Sequence, residues 1–567
     1  MEAFVTERLI GLRPEPAHLA AFTALLADPE VGAWLRPPPL PPFAPDDPAD
    51  LLRRDIEHWE RHGFGAVVLA DRATGEALGR GGLAFTTATE EFAVELPWAL
   101  PHRAWGRGLA TEAARAALAW ARDLGLPGVI SLTLPDNRRS RRVMEKAGLV
   151  LAGEIEHAGL HHVLYRARLP APAETTVPVW LDPPAVARPA LASDLRCEVC
   201  VVGGGMGGIA TAWQLAAAGV RDIVILDAGA VAGGASGRNG GFLIAGAAPM
   251  YHRTRDAWGR ERARRIYAAT LAGQAALRAA AAQAGVAGAI RVTGLLRVGM
   301  DAAEADDVAA HHAALAEDGF AGELLEGDEL PAPLRRPDRR ALLTPHDGGM
   351  DPAAVVRGLA AELERRGVRI FERTPAQGPP GADGSVRTAA GRVRAERTVV
   401  AVDAQLGALV PAAAGVRSRR LNALATAPVA AGHLPRPLYM RDGYEYALQR
   451  ADGRIVLGGF SDVDGAAGWT ADATVSAPAQ LALDAFLRDE LGVTAPVTHR
   501  WAGLVGYAED PVPRCGVVPG SGGRVLALGG YNGTGNVQAW VAGRIVSELL
   551  REGASADAAL YAPVAGA

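Results

Sequence analysis

The chain has 567 residues, which is too long for one ordinary domain and enough for two or three with sizeable cores. Its 58 basic and 63 acidic residues give a net charge of −5, so no basic surface for nucleic acid is expected. Three cysteines imply no disulfide framework, and we expect neither a signal peptide nor an apolar run of the ~20 residues that cross a bilayer, so the sequence indicates a cytoplasmic protein.

A glycine-rich turn lies between a predicted strand, residues 94–100, and a predicted helix, residues 111–124. Backbone N–H groups at such a turn, together with the helix dipole, favour a bound phosphate. Glycines allow close approach of the backbone, and arginines add cationic donors. The residues of this predicted phosphate site are Arg103, Gly106, Arg107, Gly108, Leu109 and Ala110.

A second segment supports this interpretation. Asn137-x-x-Ser140 precedes a helix that ends in Glu145-Lys-Ala-Gly-Leu149, with Gly148 placed to end it. With the glycine-rich turn, these motifs resemble the GNAT N-acetyltransferases over about residues 4–168, and the opening 6–13 is similar to their ribosomal-protein-acetylating branch. The resemblance implies that the turn holds the pyrophosphate of acetyl-CoA, with Asn137 and Ser140 near its pantetheine and thiol.

Catalysis of acetyl transfer needs a base for the incoming amine. Glu95, on the strand that enters the turn, is the candidate, acting directly or through water; the alternative is a solvated strand carboxylate. Many GNAT enzymes carry a Tyr as general acid where this chain has Met144, so the leaving thiolate needs another donor or none. The histidines at 157, 161 and 162 indicate surface or pocket residues, and no metal site is expected.

A proline-rich segment separates two regions of different pattern. Residues 170–192 contain six prolines, which disfavour both helix and sheet, so we predict a semi-rigid linker. The predicted domains are therefore an acetyltransferase at 1–169 and a larger domain at 193–567.

The larger domain opens with a dinucleotide-binding pattern. A β-branched strand at 196–202 leads into Gly203-x-Gly205-x-x-Gly208, a helix, and a second strand that ends at Asp227. The glycines admit a pyrophosphate to the helix N-terminus, and Asp227 can bind ribose hydroxyls.

Two further glycine-rich segments, 233–242 and 524–536, favour FAD over NAD. With residues 397–402 and 503–516, they resemble the D-amino-acid-oxidase-like (glycine/sarcosine oxidase) superfamily over about residues 197–550. Segment 236–241 is most similar to members that oxidise polyamine conjugates. The resemblance implies FAD contacts from Ser236, Arg238, Asn239, Gly240, Gly530, Asn532, Gly533, Thr534 and Gly535. Because segment 236–241 has no Cys or His for a covalent link, FAD is expected to be non-covalent.

The resemblance also implies the fold class and the chemistry. We expect an α/β and α+β multidomain chain, with a Rossmann-like FAD-binding domain (about 193–245, 345–410 and 510–555) interleaved with an antiparallel substrate sheet (about 285–340 and 415–510). The implied reaction moves a hydride from the carbon beside an unprotonated amine to the flavin, which O2 reoxidises with release of peroxide.

The substrate pocket departs from the amino-acid oxidases of this group. They usually follow Trp-x-Gly-Leu with an Arg that pairs with the substrate carboxylate, whereas Val505 follows Trp501-Ala-Gly-Leu here, which argues against a simple α-amino acid. The candidate pocket residues are Tyr444, Tyr446, Tyr507 and Tyr531, with sheet packing as the alternative.

Several functions remain open for the fused chain. Oxidation can cleave a C–N bond in a secondary amine or an N-substituted, including hydrazino, amino acid, after which acetylation caps the released amine or hydrazine, as in natural-product pathways. The reverse order, acetylation of a polyamine before its oxidation, fits equally well. An RNA-modifying flavoenzyme is disfavoured by the net charge, and a lapsed acetyltransferase kept as a scaffold or acetyl-CoA sensor is left open by Met144. The expected partner is a small molecule, without nucleic acid or membrane.

Overall fold

A computed structural model describes residues 2–89, 93–124, 126, 128–169 and 176–564. The first residues of the predicted linker, 170–175, lie outside the described residues. The chain forms two compact units. The first comprises Met1–Glu174, Val463–Ala467 and Ser476–Gly492, and the second comprises Thr175–Asp462, Gly468–Val475 and Val493–Ala567.

Among its described residues, the N-terminal part of the first unit carries two sheets and five α-helices. Its strands are β1 (Glu2–Val5), β2 (Leu9–Leu12), β3 (Ala66–Asp71), β4 (Ala77–Gly82), β5 (Ala84–Thr86), β6 (Ala93–Glu95), β7 (Gly128–Thr133), β8 (Val150–His157) and β9 (Leu160–Arg168). Its helices are α1 (Leu19–Leu26), α2 (Pro29–Leu35), α3 (Asp47–His62), α4 (Leu109–Asp123) and α5 (Arg138–Ala147). The strand orders are β1-β2-β3-β4 and β5-β6-β7-β9-β8.

Local sequence fixes the ends of α5. The side chain of Asn137 accepts a hydrogen bond from Ser140 N–H at 3.1 Å and so caps the first turn. Gly148, at φ +97°, ends the helix in the left-handed conformation that favours glycine. On its inner side, Met144 is fully buried among Leu96, Val129 and other apolar residues.

The second unit contains most of the remaining elements. Its strands are β10 (Leu195–Val202), β11 (Ile223–Leu226), β12 (Phe242–Leu243), β13 (Ile290–Arg291), β14 (Leu295–Gly299), β15 (Glu323–Glu326), β16 (Arg340–Thr344), β17 (Gly348–Met350), β18 (Arg369–Phe371), β19 (Ser385–Arg387), β20 (Arg392–Val400), β21 (Arg417–Thr426), β22 (Leu438–Met440), β23 (Glu445–Gln449), β24 (Ile455–Gly459), β25 (Val497–Tyr507), β26 (Arg514–Val517) and β27 (Val525–Gly529). The helices from here on are α6 (Met206–Ala217), α7 (Tyr251–Trp258), α8 (Arg260–Gln283), α9 (Ala302–Glu317), α10 (Pro352–Arg365), α11 (Leu406–Leu409), α12 (Ala477–Asp489) and α13 (Gly535–Glu552).

The first sheet of the second unit is largely parallel. Its order is β18-β11-β10-β20-β27-β26, with β19 added beside β20. The pairs from β18 to β27 are parallel, and only the additions of β19 and β26 are antiparallel. Buried residues of α6 and α13, among them Ile209 and Trp540, pack in one core with Val199 of β10. Parallel strands covered by helices place ligand-binding turns at their carboxyl ends.

The second sheet has eight strands in the order β15-β16-β14-β22-β23-β24-β21-β25. All its pairings are antiparallel except β14 with β22. The register aligns Arg297, Tyr439, Tyr446 and Gly458 in one row across four neighbouring strands. Directly opposed residues share a face of a sheet, so these side chains project to the same side.

Two segments take places that their local sequence does not indicate. The later part of the proline-rich segment packs into the second unit, where Trp180 is 4% exposed and donates to Asn239 O at 2.8 Å. Helix α12 belongs to the first unit, and a Cβ on Gly63 would lie 2.2 Å from Ala485 Cβ. Among the described helices, none combines the length and apolarity that crossing a membrane requires.

Candidate active sites

The turn between β10 and α6 is so tight that only glycine fits at two positions. Gly203 has φ +114°, and a Cβ there would lie 2.3 Å from Ala401 O. A Cβ on Gly208 would lie 1.8 Å from Gly203 O. The N-terminus of α6 is therefore drawn against the end of β10, leaving a turn of backbone N–H groups that suits a phosphate.

Ser236 lies at the N-terminus of α6. Its Oγ accepts a hydrogen bond from Met206 N–H at 2.8 Å, and a Cβ on Gly205 would lie 2.9 Å from the same oxygen. Since the N-cap residue of α6 is a glycine without a capping side chain, Ser236 supplies the missing acceptor. The structure thus brings segment 236–241 against the glycine fingerprint.

Asp227 directly follows β11, beside the same turn. Its carboxylate accepts hydrogen bonds from Gly204 N–H at 2.7 Å and from Gly229 N–H at 2.8 Å. Burial raises the pKa of Asp227 despite these two bonds. The carboxylate is therefore held next to the fingerprint glycines, where the sequence predicts a ribose contact.

Arg238, Asn239 and Gly240 occupy structural positions in the loop. Arg238 donates to Gly233 O at 3.0 Å and to Ala502 O at 3.1 Å, and burial lowers its pKa. The side chain of Asn239 exchanges hydrogen bonds with that of Asn536. A Cβ on Gly240 would lie 2.5 Å from the ring of Tyr446, so the loop backbone touches the eight-stranded sheet directly.

The second glycine-rich turn joins β27 to α13. Gly530, Asn532 and Gly533 all have positive φ, Thr534 donates its hydroxyl to Tyr531 O at 2.8 Å, and Gly535 begins the helix. The Oδ1 of Asn532 accepts a hydrogen bond from Ala508 N–H at 2.9 Å.

Asp403, which sequence reasoning missed, holds this second turn in place. It is half-buried and accepts hydrogen bonds from Gly530 N–H, Tyr531 N–H and Gly506 N–H at 3.0–3.2 Å. Burial raises the pKa of Asp403. The backbone donors that orient the turn come from residues more than 100 positions away, so no local motif could have indicated Asp403.

Tyr531 lies in a different environment from the other three predicted pocket tyrosines. It is 7% exposed, and its hydroxyl has no hydrogen-bond partner among the described residues. A Cβ on Gly207 would lie 2.4 Å from that hydroxyl, so Tyr531 faces the first turn of α6. An unpaired buried hydroxyl beside a phosphate-type turn fits a bound polar group there.

Tyr446 and Tyr507 lie on the eight-stranded sheet. The ring of Tyr446 contacts Phe242 edge-on at 5.6 Å, and that of Tyr507 contacts Trp469 in the same way at 5.8 Å. Burial raises the pKa of Tyr446 and raises that of Tyr507 to about 12, so both phenols stay protonated near neutral pH. Tyr444 instead lies in the turn before β23 and is 43% exposed.

Sequence reasoning missed two neighbours of these tyrosines, the aromatic Tyr439 and the cationic Arg297. The ring of Tyr439 contacts Phe242 at 6.1 Å, and the guanidinium of Arg297 stacks on Tyr439 with its Cζ 4.7 Å from the ring centroid. Both belong to the row that contains Tyr446. The alternating pattern of β14 and β22 could have placed them on this face.

The glycine-rich turn of the first unit lies between β6 and α4. Gly106 (φ +75°) and Gly108 (φ +79°) are left-handed, and nothing would lie within 4 Å of a Cβ on Gly106. Arg107 is exposed, and Arg8 donates to its carbonyl at 2.9 Å. Leu109 begins α4 and is buried, followed by the half-buried Ala110. The turn is therefore open to a ligand and is held by Arg8, which directly precedes β2.

Other predicted residues of this site have internal partners. Arg103 is largely exposed and pairs with Glu76 at 2.9 Å. Asn137 caps α5 through Ser140 N–H. Glu95 lies on β6 opposite Ile130, and burial raises its pKa although the positive charge of Arg80 lowers it. A buried carboxylate of raised pKa can take a proton from an amine.

Comparison with known families decides the identity of both units. Residues 198–549 match the FAD dependent oxidoreductase family, and residues 8–150 match the acetyltransferase (GNAT) domain. The chain belongs to the FAD dependent oxidoreductase family. It carries a GNAT acetyltransferase domain at its N-terminus. Both parts belong to enzyme families, as the sequence predicted.

Relatives of known name support the assignment. The chain is 27% identical to the probable oxidoreductase OrdL of Rhizobium meliloti (strain 1021), over 64% of this chain and 84% of that protein. It is 28% identical to the gamma-glutamylputrescine oxidoreductase of Escherichia coli (strain K12), over 64% and 85%. The uncharacterized protein YkkB of Bacillus subtilis (strain 168) is 34% identical over 17% of this chain and 59% of its own length.

Solved structures support the fold of the oxidoreductase domain. Glycine oxidase from Bacillus cereus ATCC 14579 superposes with a TM-score of 0.54 at 18% identity, covering 64% of this chain and 96% of that one. L-proline dehydrogenase from P. horikoshii gives 0.53 at 19% identity, covering 64% and 95%. The predicted fold class is therefore confirmed.

The residues present fit both implied cofactors. In the oxidoreductase domain, three glycine-bearing segments meet at the N-terminus of α6, beside the unpaired hydroxyl of Tyr531. In the GNAT domain, the open space at Gly106 and the exposed Arg107 suit an anionic ligand. Among the described residues, no group of three His, Cys, Asp or Glu side chains is arranged to hold a metal ion.

Proposed function

We propose that this chain oxidises a C–N bond in a secondary amine or an N-substituted, including hydrazino, amino acid and then acetylates the released amine or hydrazine, as a step in natural-product biosynthesis. The observation that carries the proposal is the presence of two separate phosphate-type turns, at Gly203–Gly208 and at Gly106–Gly108, in one polypeptide. A free amine or hydrazine would recondense with the carbonyl product. Acetylation removes that nucleophile and makes the cleavage one-way.

The oxidoreductase domain contributes binding and orientation. When bound, FAD supplies the acceptor for a hydride from the carbon next to an unprotonated amine, and O2 is the proposed final acceptor. Tyr446 and Tyr507, which stay protonated because burial raises their pKa, can donate hydrogen bonds to the substrate. The aromatic rings of Phe242 and Trp469 next to them shield the bond from water.

In the GNAT domain, Glu95 is the proposed base. The carboxyl group lies where β6 and β7 pair at a single residue, Ile130, beside the hydrogen bond from Leu96 N–H to Ile130 O. Burial, which raises the pKa of Glu95, brings it closer to that of the amine from which it must take a proton. The turn at Gly106–Gly108 and the cation of Arg107 are proposed to hold the pyrophosphate of acetyl-CoA.

The similarity to gamma-glutamylputrescine oxidoreductase favours a second candidate order. That name describes an oxidoreductase for a diamine that already carries an acyl group. A GNAT domain on the same chain could supply an acyl group in the equivalent way, by acetylating one nitrogen of a polyamine. In this order, acetylation precedes oxidation.

Peroxide release separates the two orders. The full chain, loaded with FAD, would be mixed with a panel of secondary amines, hydrazino acids and polyamines, with and without acetyl-CoA. Cleavage before capping predicts that peroxide forms at the same rate without acetyl-CoA and that mass spectrometry finds an N-acetylated amine only when acetyl-CoA is present. Peroxide that forms only with acetyl-CoA would reject this order and support the polyamine alternative.

A further inference from the structure

A small, partly open pocket lies in the oxidoreductase domain beside the segment that continues from Phe242. Its lining includes Ala245, Gly246, Arg297 and His311. The backbone on this side is held firmly, since Ala245 N–H donates to Asp347 at 2.9 Å and Gly246 N–H donates to Thr270 at 2.7 Å. The loop that we propose binds FAD therefore runs directly into a fixed pocket wall.

Arg297 is a buried cation on this wall without a close partner. Only 6% of the residue is exposed, and its Nη1 has no hydrogen-bond partner among the described residues. Its ion pair with Asp442 Oδ1 is 3.7 Å long, which exceeds hydrogen-bonding distance. A buried guanidinium with unmade hydrogen bonds is costly, so an anion is the chemically matched ligand.

Two facing atoms of the neighbouring charged group, Arg297 Nη1 and Asp442 Oδ1, lack hydrogen-bond partners among the described residues. Asp442 binds Arg253 through its other oxygen at 2.6 Å, and Arg253 also binds Asp307. His311 is 5% exposed with an unpaired Nδ1, and burial and the charge of Arg297 lower its pKa, so its ring is neutral. Because Asp442 makes its 2.6 Å contact with Arg253, the guanidinium of Arg297 keeps N–H donors available for an anionic ligand.

The strand register separates Arg297 from the residue of the sheet that touches the proposed flavin loop. Arg297 opposes Tyr439, which opposes Tyr446, and Tyr446 touches Gly240. Neighbouring strands lie ~4.8 Å apart, so Arg297 is two strands, or about 10 Å, from the Tyr446 position. The guanidinium contacts the ring of Tyr439, and that ring in turn contacts Phe242 at the end of the loop, so an anion held by Arg297 lies one aromatic ring away from the loop and suits a carboxylate distal to the oxidised amine.

We propose that Arg297 is a specificity-determining residue that binds a carboxylate of the substrate, separated by several carbon atoms from the C–N bond that is oxidised. This inference rests on the proposed function, which it narrows to amines bearing a distal acid. The contact with the ring of Tyr439 holds the guanidinium in place, and its Nη1 has no hydrogen-bond partner among the described residues and can donate to such a carboxylate.

A matched substrate pair tests the inference in the full, FAD-loaded chain. We expect kcat/KM for N-methyl-ε-aminocaproate to exceed that for its uncharged carboxamide by roughly 10- to 100-fold, the range of a charge-assisted contact. In Arg297→Met this ratio should fall to near one, mainly through KM, and Arg297→Lys should restore part of it. Arg264→Met, an exposed arginine of α8, is the control and should keep the wild-type ratio. An unchanged ratio in Arg297→Met, at normal flavin absorbance, overturns the inference.

Binding of a carboxylate without an amine distinguishes failure of this inference from failure of the proposed function. Hexanoate, but not hexanamide, should raise the melting temperature of the wild type and should not raise that of Arg297→Met. If no amine of the panel is oxidised, the proposed function fails, and this measurement still decides the role of Arg297. Equal effects of hexanoate on the two proteins, or no effect on the wild type, would reject a carboxylate site.

Discussion

Asn239 and Asn536 hold each other's side-chain amides through two hydrogen bonds of 3.1 Å, although they are 297 residues apart. Asn239 also accepts from Gly241 N–H at 2.8 Å, and Asn536 donates to Phe242 O at 2.8 Å. The pair ties the loop after the fingerprint to the N-terminus of α13. Both ends of the proposed FAD site are thereby fixed relative to each other.

Replacing Asn536 should therefore weaken FAD binding. In Asn536→Ala, the carbonyl of Phe242 and the amide of Asn239 lose partners, at a cost of about 1–3 kcal/mol. We expect a tenfold or larger rise in the Kd for FAD, measured by fluorescence during reconstitution. Asn137→Ala removes a cap in the GNAT domain and is the control, with the Kd for FAD unchanged. Wild-type affinity in Asn536→Ala would contradict the role of the pair.

The glycine fingerprint can be tested at Gly208. A Cβ there would lie 1.8 Å from Gly203 O, a backbone atom that cannot turn away, so Gly208→Ala must push α6 off β10. We expect a protein that lacks visible flavin absorbance and peroxide formation but still transfers acetyl groups. Gly288→Ala, with nothing within 4 Å of its Cβ, should keep its flavin. Normal flavin content in Gly208→Ala would show that the turn is less tight than described.

The proposed acetyl-CoA turn can be tested with a matched pair of glycines. Gly108 (φ +79°) and Gly75 (φ +74°) share the left-handed conformation, so a side chain strains both similarly, but only Gly108 lies in the predicted pyrophosphate turn. Gly108→Trp should raise the KM for acetyl-CoA at least about tenfold, because a side chain there displaces phosphate from the N–H groups. Gly75→Trp should not, and peroxide formation should survive in both. Equal KM values would place the pyrophosphate elsewhere.

Local motifs were sufficient to predict much of the fold, whereas contacts between residues far apart in the chain could not be predicted from the sequence. The fingerprint around Gly203 and the turn around Gly106 combine their own strand, turn and helix within about 30 residues, so pattern reasoning was sufficient to predict both. Asp403 binds the turn at Gly530 from another part of the chain, and no spacing rule connects them. Trp180 sits among prolines that indicate a linker, yet it is buried.

The tyrosines show the same limit at the substrate site. Composition could not separate Tyr531, which faces α6, from Tyr446, which lies on the sheet, because that distinction depends on strand register. The register, once known, also brings Tyr439 and Arg297 into the row. Prediction of the pocket from sequence therefore fails where residues from separate strands converge.

The proposed role of Glu95 as the base predicts that acetyl transfer depends on pH. Burial raises its pKa above the ordinary value of 4.5, and only the ionised form can accept a proton, so the rate should fall as pH drops through the raised pKa. Glu95→Gln should lower kcat roughly 100-fold or more and abolish this acid limb. Because Gln removes a buried charge, stability should not fall, which separates a catalytic role from a structural one. The exposed Glu154→Gln is the control, and an intact acid limb in Glu95→Gln would exclude Glu95 as the base.

His58 should make the GNAT domain sensitive to acid. Its Nδ1 lies 2.8 Å from Phe64 O, and its Nε2 accepts from Phe85 N–H at 3.0 Å, an arrangement that requires the neutral ring with its proton on Nδ1. Burial lowers the pKa of His58 from 6.5 to about 4, so the unfolded chain takes up a proton between these values and the folded one does not. Stability should therefore fall as pH drops from 6.5 to 4, by at most about 3 kcal/mol. Urea unfolding across this range should show the loss in the wild type and in His161→Gln, an exposed hairpin residue, but a smaller loss in His58→Gln. The same pH dependence in His58→Gln would assign the acid sensitivity to another group.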